Sequence, residues 1–212
     1  MMNKKLILVG GGGHCKSVID VAESAGYTIL GILGRPEEVG NKVLGYEVVG
    51  TDDDMAKYVD FAEFVVTVGQ IKSVSLRVKL HEMVERAGGK LAMVVSPTAH
   101  VSKYAQVGVG TVVMHHAVIN ADAIIGKGCI INTFANVEHD VVVGDYCHVS
   151  TGAMVNGGCV LGNGCFVGSQ AALSNGVTIG DDIIISAGAF VPHPLFEKGI
   201  YAGNPAMLKT KQ

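Results

Sequence analysis

His139 lies between two carboxylates, in the run Glu138-His139-Asp140. An imidazole titrates near neutral pH, and a carboxylate beside it holds one tautomer and raises its basicity. A histidine so placed can take the proton from an attacking amine or hydroxyl. The same three residues also read as a solvated turn, and His115-His116 projects outward from comparable positions, so residue types alone leave the base open among them. The run Gly10-Gly11-Gly12-Gly13 is a second group with chemical potential. It follows a short apolar strand and opens a helical stretch, where free amides bind an anion. As a GxGxxG dinucleotide turn it fails. The register from Gly10 reaches Gly12 and then Cys15, and no acid ends the second strand, so a nicotinamide cofactor is not expected. The 5 cysteines include no CxxC pair and no clustered spacing, so neither a disulfide framework nor a metal site is expected.

The glycine turn needs a strand and a helix to hold it, and residues 1–95 supply that pattern. Strands are expected over 5–9, 28–33, 64–68 and 91–95. A helix over 14–25 carries Val18, Val21, Ala22 and Ala25 on one face and stops at Gly26. A short helix is expected over 52–58. A longer one over 73–87 carries the stripe Leu76, Leu80, Met83, Val84 and Ala87. Strands alternating with helices imply a small parallel sheet of Rossmann type.

From there the period changes to six. Every sixth residue from Val101 to Val191 is Val, Ile or Leu, and the fourth residue after each is small or an aliphatic β-branched one, as at Ala105, Thr111, Ala117, Ala123 and Val141. Each hexad gives a short strand and a turn, and three of them, about 18 residues, close one triangular rung. Residues 96–212 are therefore expected to form an all-β left-handed parallel β-helix after the α/β module. Cys129, Cys147, Cys159 and Cys165 occupy the small inward slot as packing residues. Glycine often follows the anchor, at Gly108, Gly126, Gly144, Gly162, Gly168 and Gly180, where it is expected to ease a tight turn.

Composition excludes several classes. A formal charge of -3 offers no footprint for nucleic acid or an acidic membrane. The apolar runs, such as 91–95 and 183–185, fall far short of the roughly 20 residues of a membrane span. The glycine cluster arrives too early for a secretory leader, so a cytoplasmic protein is expected.

The hexads resemble those of the hexapeptide-repeat acyltransferases, and Gly203-Asn204-Pro205-Ala206 is similar to the element that follows their coil. Met207 stands where a basic residue is usual in that superfamily. The glycine-rich start, Val95-Ser96-Pro97-Thr98-Ala99, Asn132-Thr133 and Glu138-His139-Asp140 narrow the resemblance to the sialic-acid O-acetyltransferase and UDP-4-amino-sugar N-acetyltransferase subfamily, of NeuD/PglD type. That resemblance implies acetyl-CoA as co-substrate and His139 as general base with Asp140 as its partner, where the subfamily often has Glu. Glu138 is the alternative carboxylate. It further implies coenzyme contacts at His148, Ser169 and Ala187, and contacts to a nucleotide-linked sugar at Gly11, Gly12, Gly13 and Gly69. The implied reaction is direct N-acetylation of a UDP-4-amino-4,6-dideoxy sugar in bacterial glycan biosynthesis, with O-acetylation of a sialic acid as the alternative. A triangular prism with flat β faces packs as a homotrimer. One departure bears on the acceptor: Leu33-Gly34-Arg35 stands where the amino-sugar enzymes carry acids. Two other classes are weighed. A zinc lyase on the same coil needs three converging histidines, and His115, His139 and His148 are spaced poorly for it. A non-catalytic sugar-nucleotide-binding protein needs no base at all.

Overall fold

The computed structural model describes residues 4–211. Strand β1 (Lys5–Val9) is central and buried on both sides, which is why it is an unbroken apolar run. Its parallel neighbours are β2 (Thr28–Gly34) and β5 (Glu63–Val66). Outside β2 lies the hairpin of β3 (Lys42–Val43) and β4 (Tyr46–Thr51), and outside β5 lies β6 (Lys90–Leu91). Alternation divides β1 between two cores. Leu6 and Leu8 face α1 (Gly13–Ser24) through Val18, Ile19 and Ala22, whereas Ile7 and Val9 face α2 (Ser75–Arg86) through Leu80 and Val84. The short helix expected over 52–58 is a 3-10 helix, Asp52–Lys57.

The strand expected over 91–95 is two strands. Lys90–Leu91 pairs with β5, whereas β7 (Val94–Val95) pairs with Val112–Val113 and opens the first rung of the coil. The α1-side core contains Val94, Val112 and Met114, so the α/β module and the coil share one apolar interior.

The coil itself has the expected period. Val112 pairs with Ile130, Ile130 with His148, His148 with Phe166 and Phe166 with Ile184, a step of 18 each time. Three parallel sheets form its faces, and the aliphatic anchors from Val113 to Val191 are buried in one continuous cluster. The chain closes with Gly199–Ala202, which extends one face and pairs antiparallel with Met207–Lys211.

The corners differ from the sequence expectation in an instructive way. The left-handed residue of each turn is the third after the anchor, not the first. Gly110, Gly128, Gly152 and Gly164 stand there, and so do His116, Phe134, Asp140 and Tyr146 with φ of 58°, 58°, 60° and 55°. Each non-glycine costs about 1 kcal/mol of backbone strain. The glycines directly after the anchor serve rung stacking. A Cβ on Gly108 or Gly144 would meet the next rung's backbone at 2.6 or 2.7 Å. The inward small slot also has a polar duty. Thr111 Oγ1 donates to the Gly126 carbonyl at 2.9 Å, and Cys129, Cys147 and Cys165 donate in turn to Gly144, Gly162 and Gly180 at 3.2, 3.0 and 3.0 Å. These thiols are packing residues that also satisfy buried carbonyls.

Candidate active site

His139 stands two residues beyond Val137, on the corner that ends the strand Asn136–Val137. Asp140 takes the left-handed conformation of that corner, and its Oδ2 accepts from His139 Nδ1 at 2.7 Å. The bond raises the imidazole pKa above its ordinary value and leaves Nε2 as the unprotonated nitrogen, on a side chain 59% exposed. The ring lies against Gly157, one rung on, where a Cβ would come within 2.7 Å of Cε1 and Nε2. Sequence reading missed Gly157, whose signal is its 18-residue offset from His139. Glu138 is otherwise engaged. The amides of Asn120 and Asn136 each donate to its carboxylate at 2.9 Å, which pulls its pKa down.

His115 and His116 lie on a different corner, since 24 residues is one rung plus one hexad. His115 bridges the two parts of the chain, with Nδ1 2.7 Å from Ser96 Oγ and Nε2 3.0 Å from Asp20 Oδ2 on α1. His116 stacks on Phe134 with centroids 5.0 Å apart.

His148 is buried on the face that meets the α/β module. Its Nδ1 donates to the Gln70 carbonyl at 2.8 Å, and Asn132 Nδ2 donates to its Nε2 at 3.1 Å. Burial lowers its pKa to about 4, so the ring is neutral near pH 7. Thr133, Thr151, Ser169 and Ala187 follow one another at 18-residue steps along the corner beside it. Ser169 Oγ is 3.0 Å from Ser150 Oγ, and Ala187 is exposed. The second amide after each anchor lacks a backbone acceptor. At some corners a side-chain oxygen fills the gap, as Asn132 does for Thr133 and Asp145 for Lys127, and at others, Thr151, Ser169 and Ala187 among them, that amide has no acceptor among the described residues.

The glycine turn sits at the C-terminal end of β1. Gly10, with φ of 107°, has room for no Cβ because Val68 lies 2.6 Å from where it would stand. Gly12 and Gly13 face open space, and α1 starts there without a side-chain cap; Cys15 N–H donates to the Gly12 carbonyl, and the Gly13 and His14 amides have no acceptor among the described residues. Gly69 backs onto His14. His14 itself is half-buried, its pKa lowered to about 3 by desolvation and by Arg77 and His148. A cleft of about 270 Å³ opens beside Gly10, Gly11 and Gly12. Gly34 and Arg35 line it as the sequence order suggests, but Glu38, a few residues beyond β2, and Asp52 bring in acids that Leu33-Gly34-Arg35 lacks. Asp52 follows β4, which pairs beside β2, and a one-dimensional reading does not reveal that neighbour. Arg77, buried with no carboxylate partner, donates to the carbonyls of Val66, Val68 and Gly128 and so ties α2 to the coil. Among the described residues no three His, Cys, Asp or Glu side chains converge as a metal site would require.

The family model of the PglD N-terminal domain matches residues 5–84, and that of bacterial transferase hexapeptide repeats matches 122–157 and 158–193. PerB from Caulobacter crescentus, solved with CoA and GDP-perosamine, is 34% identical with a TM-score of 0.90, over 99% of this chain and 98% of that one. A histidine-to-alanine mutant from the same organism, described as GDP-perosamine N-acetyl transferase, matches at 33% identity and a TM-score of 0.91, with coverage of 99% and 98%. The acetyltransferase domain of PglB from Neisseria gonorrhoeae, solved with acetyl coenzyme A, is 31% identical with a TM-score of 0.89, over 98% of this chain and 100% of that one. No curated protein sequence matches.

Proposed function

The chain belongs to the hexapeptide-repeat acyltransferases of NeuD/PglD type, and on that footing we propose that it moves the acetyl group of acetyl-CoA to the amine of a nucleotide-linked amino sugar. The carrying observation is the His139–Asp140 pair, an exposed imidazole with one nitrogen tied to a carboxylate and the other free. In the proposed step the amine nitrogen attacks the thioester carbonyl, His139 Nε2 takes the amine proton, and the C–S bond breaks with that proton passing to the departing sulfur, which leaves as the coenzyme thiol. Transfer is direct, because every cysteine is buried and none can act as a carrier. The solved relative carrying a histidine-to-alanine change, with CoA and GDP-perosamine bound, supports a histidine at the centre of the reaction.

In this reading residues 1–95 hold the sugar nucleotide, with Gly11, Gly12, Gly13 and Gly69 at its phosphates and sugar, and 96–212 carry the transfer. The free amides of Ser169 and Ala187 receive the coenzyme's pantetheine carbonyls, and His148 positions Asn132 behind that column. The exposed apolar column Ile124, Val142 and Val160 on one flat face supports a homotrimer. Acetyl-CoA and a nucleotide sugar as its substrates would support a cytoplasmic role in glycan biosynthesis. A His139→Ala variant tests the reading with coenzyme A release as the readout. We expect kcat to fall by about 100-fold or more with acetyl-CoA binding retained. A near-normal rate would remove His139 from the mechanism.

A further inference from the structure

Granting the sugar-nucleotide reading above, we infer that the cleft beside the glycine turn selects guanine among nucleobases, with the Asp52 carboxylate reading the base. The cleft lies at the C-terminal ends of β1, β2 and β4, where nucleotides seat in open parallel sheets. Its two ends differ chemically. The backbone amides of Gly11 and Gly12 suit phosphate, that of Gly10 being given to the Leu33 carbonyl, while Val68, Leu76 and Leu80 form an apolar wall suited to a flat ring. Leu76 stays 52% exposed, so that wall lacks a cover within the chain.

The acids near this cleft are not equivalent. Glu38 already receives the Arg35 backbone N–H and guanidinium, both at 2.9 Å. Asp54 is occupied by the Thr51 N–H and by Lys57. Asp52, half-buried at the cleft, holds no donor among the described residues. Burial first, then Asp53 and Glu38, push its carboxyl pKa up against the pull of Lys79. A partly desolvated carboxylate in this position is relieved by a ligand that brings two adjacent N–H donors. Guanine is the nucleobase with that edge, N1–H beside the N2 amino group. Uracil flanks its one N–H with two carbonyl oxygens, which repel a carboxylate, and adenine and cytosine place an acceptor nitrogen next to their amino group.

Calorimetric titration of the full chain with GDP and with UDP tests the inference. Wild type is expected to bind GDP about 10- to 100-fold more tightly than UDP, the range of one bidentate base contact. Asp52→Asn, equal in size, should erase that preference by weakening GDP alone, while exposed Asp53→Asn should keep it. Equal binding of GDP and UDP by wild type, or an Asp52→Asn variant that retains the preference, overturns guanine selection and leaves the sugar-nucleotide reading standing. Binding of neither nucleotide by a chain that still binds acetyl-CoA overturns the sugar-nucleotide reading itself, and the inference with it.

Discussion

At the residue scale, the chemistry depends on which nitrogen of His139 is left free. Asp140 takes Nδ1, so Nε2 is the nitrogen left to accept. The carboxylate also raises the imidazole pKa, which makes the ring a stronger base but requires a higher pH to deprotonate it. The sign is therefore defined. Activity should rise with pH through the His139 titration, and Asp140→Asn should move that limb to lower pH while reducing kcat by roughly 10-fold or more through loss of the tautomer. A pH–rate profile checks both, and an unmoved limb would detach Asp140 from the base. The histidine was legible from its two acidic neighbours. Which acid serves it was not, because the choice depends on the left-handed turn at Asp140 and on two asparagines that hold Glu138.

At the element scale, the coil was the most legible part of the chain, since its inward positions recur every six residues without exception from Val101 to Val191. Its hydrogen bonding was not legible. Sequence spacing finds a small inward residue, but the carbonyl one rung on that needs a donor appears only when rungs are stacked. Cys147 illustrates the difference, as its thiol donates to the Gly162 carbonyl at 3.0 Å. Cys147→Ala should cost about 1 kcal/mol in denaturant stability, whereas Cys147→Ser, which keeps a donor, should cost less. Equal losses would reduce the thiol to filler. The acid of the cleft beside the glycine turn escaped sequence reading for a related reason. Asp52 reads as the start of a short helix, and only the pairing of β2 with β4 brings it beside Gly34 and Arg35.

At the scale of the whole molecule, the α/β module and the coil behave as one piece. They share the apolar core around Val94, Val112 and Met114, and they are fastened by Arg77 to Gly128, His148 to Gln70 and His115 to Asp20. Among the apolar side chains left uncovered are Ile124, Val142 and Val160 on one flat face, each more than a third exposed. Sedimentation should give a mass of three chains, and Val142→Lys should dissociate them without loss of β-sheet circular dichroism. A wild-type monomer would set aside the trimer. The 18-residue register has a further consequence, for the way such a chain can drift. Its length is quantised. One inserted residue inverts inside and outside for everything downstream. Six restore that parity but carry every later side chain to the next edge of the prism, and six placed between His139 and Gly157 would part the two. Tolerated insertions in this half are thus confined to whole turns of the screw or to loops hung from an edge, while the α/β half can lengthen its connections one residue at a time.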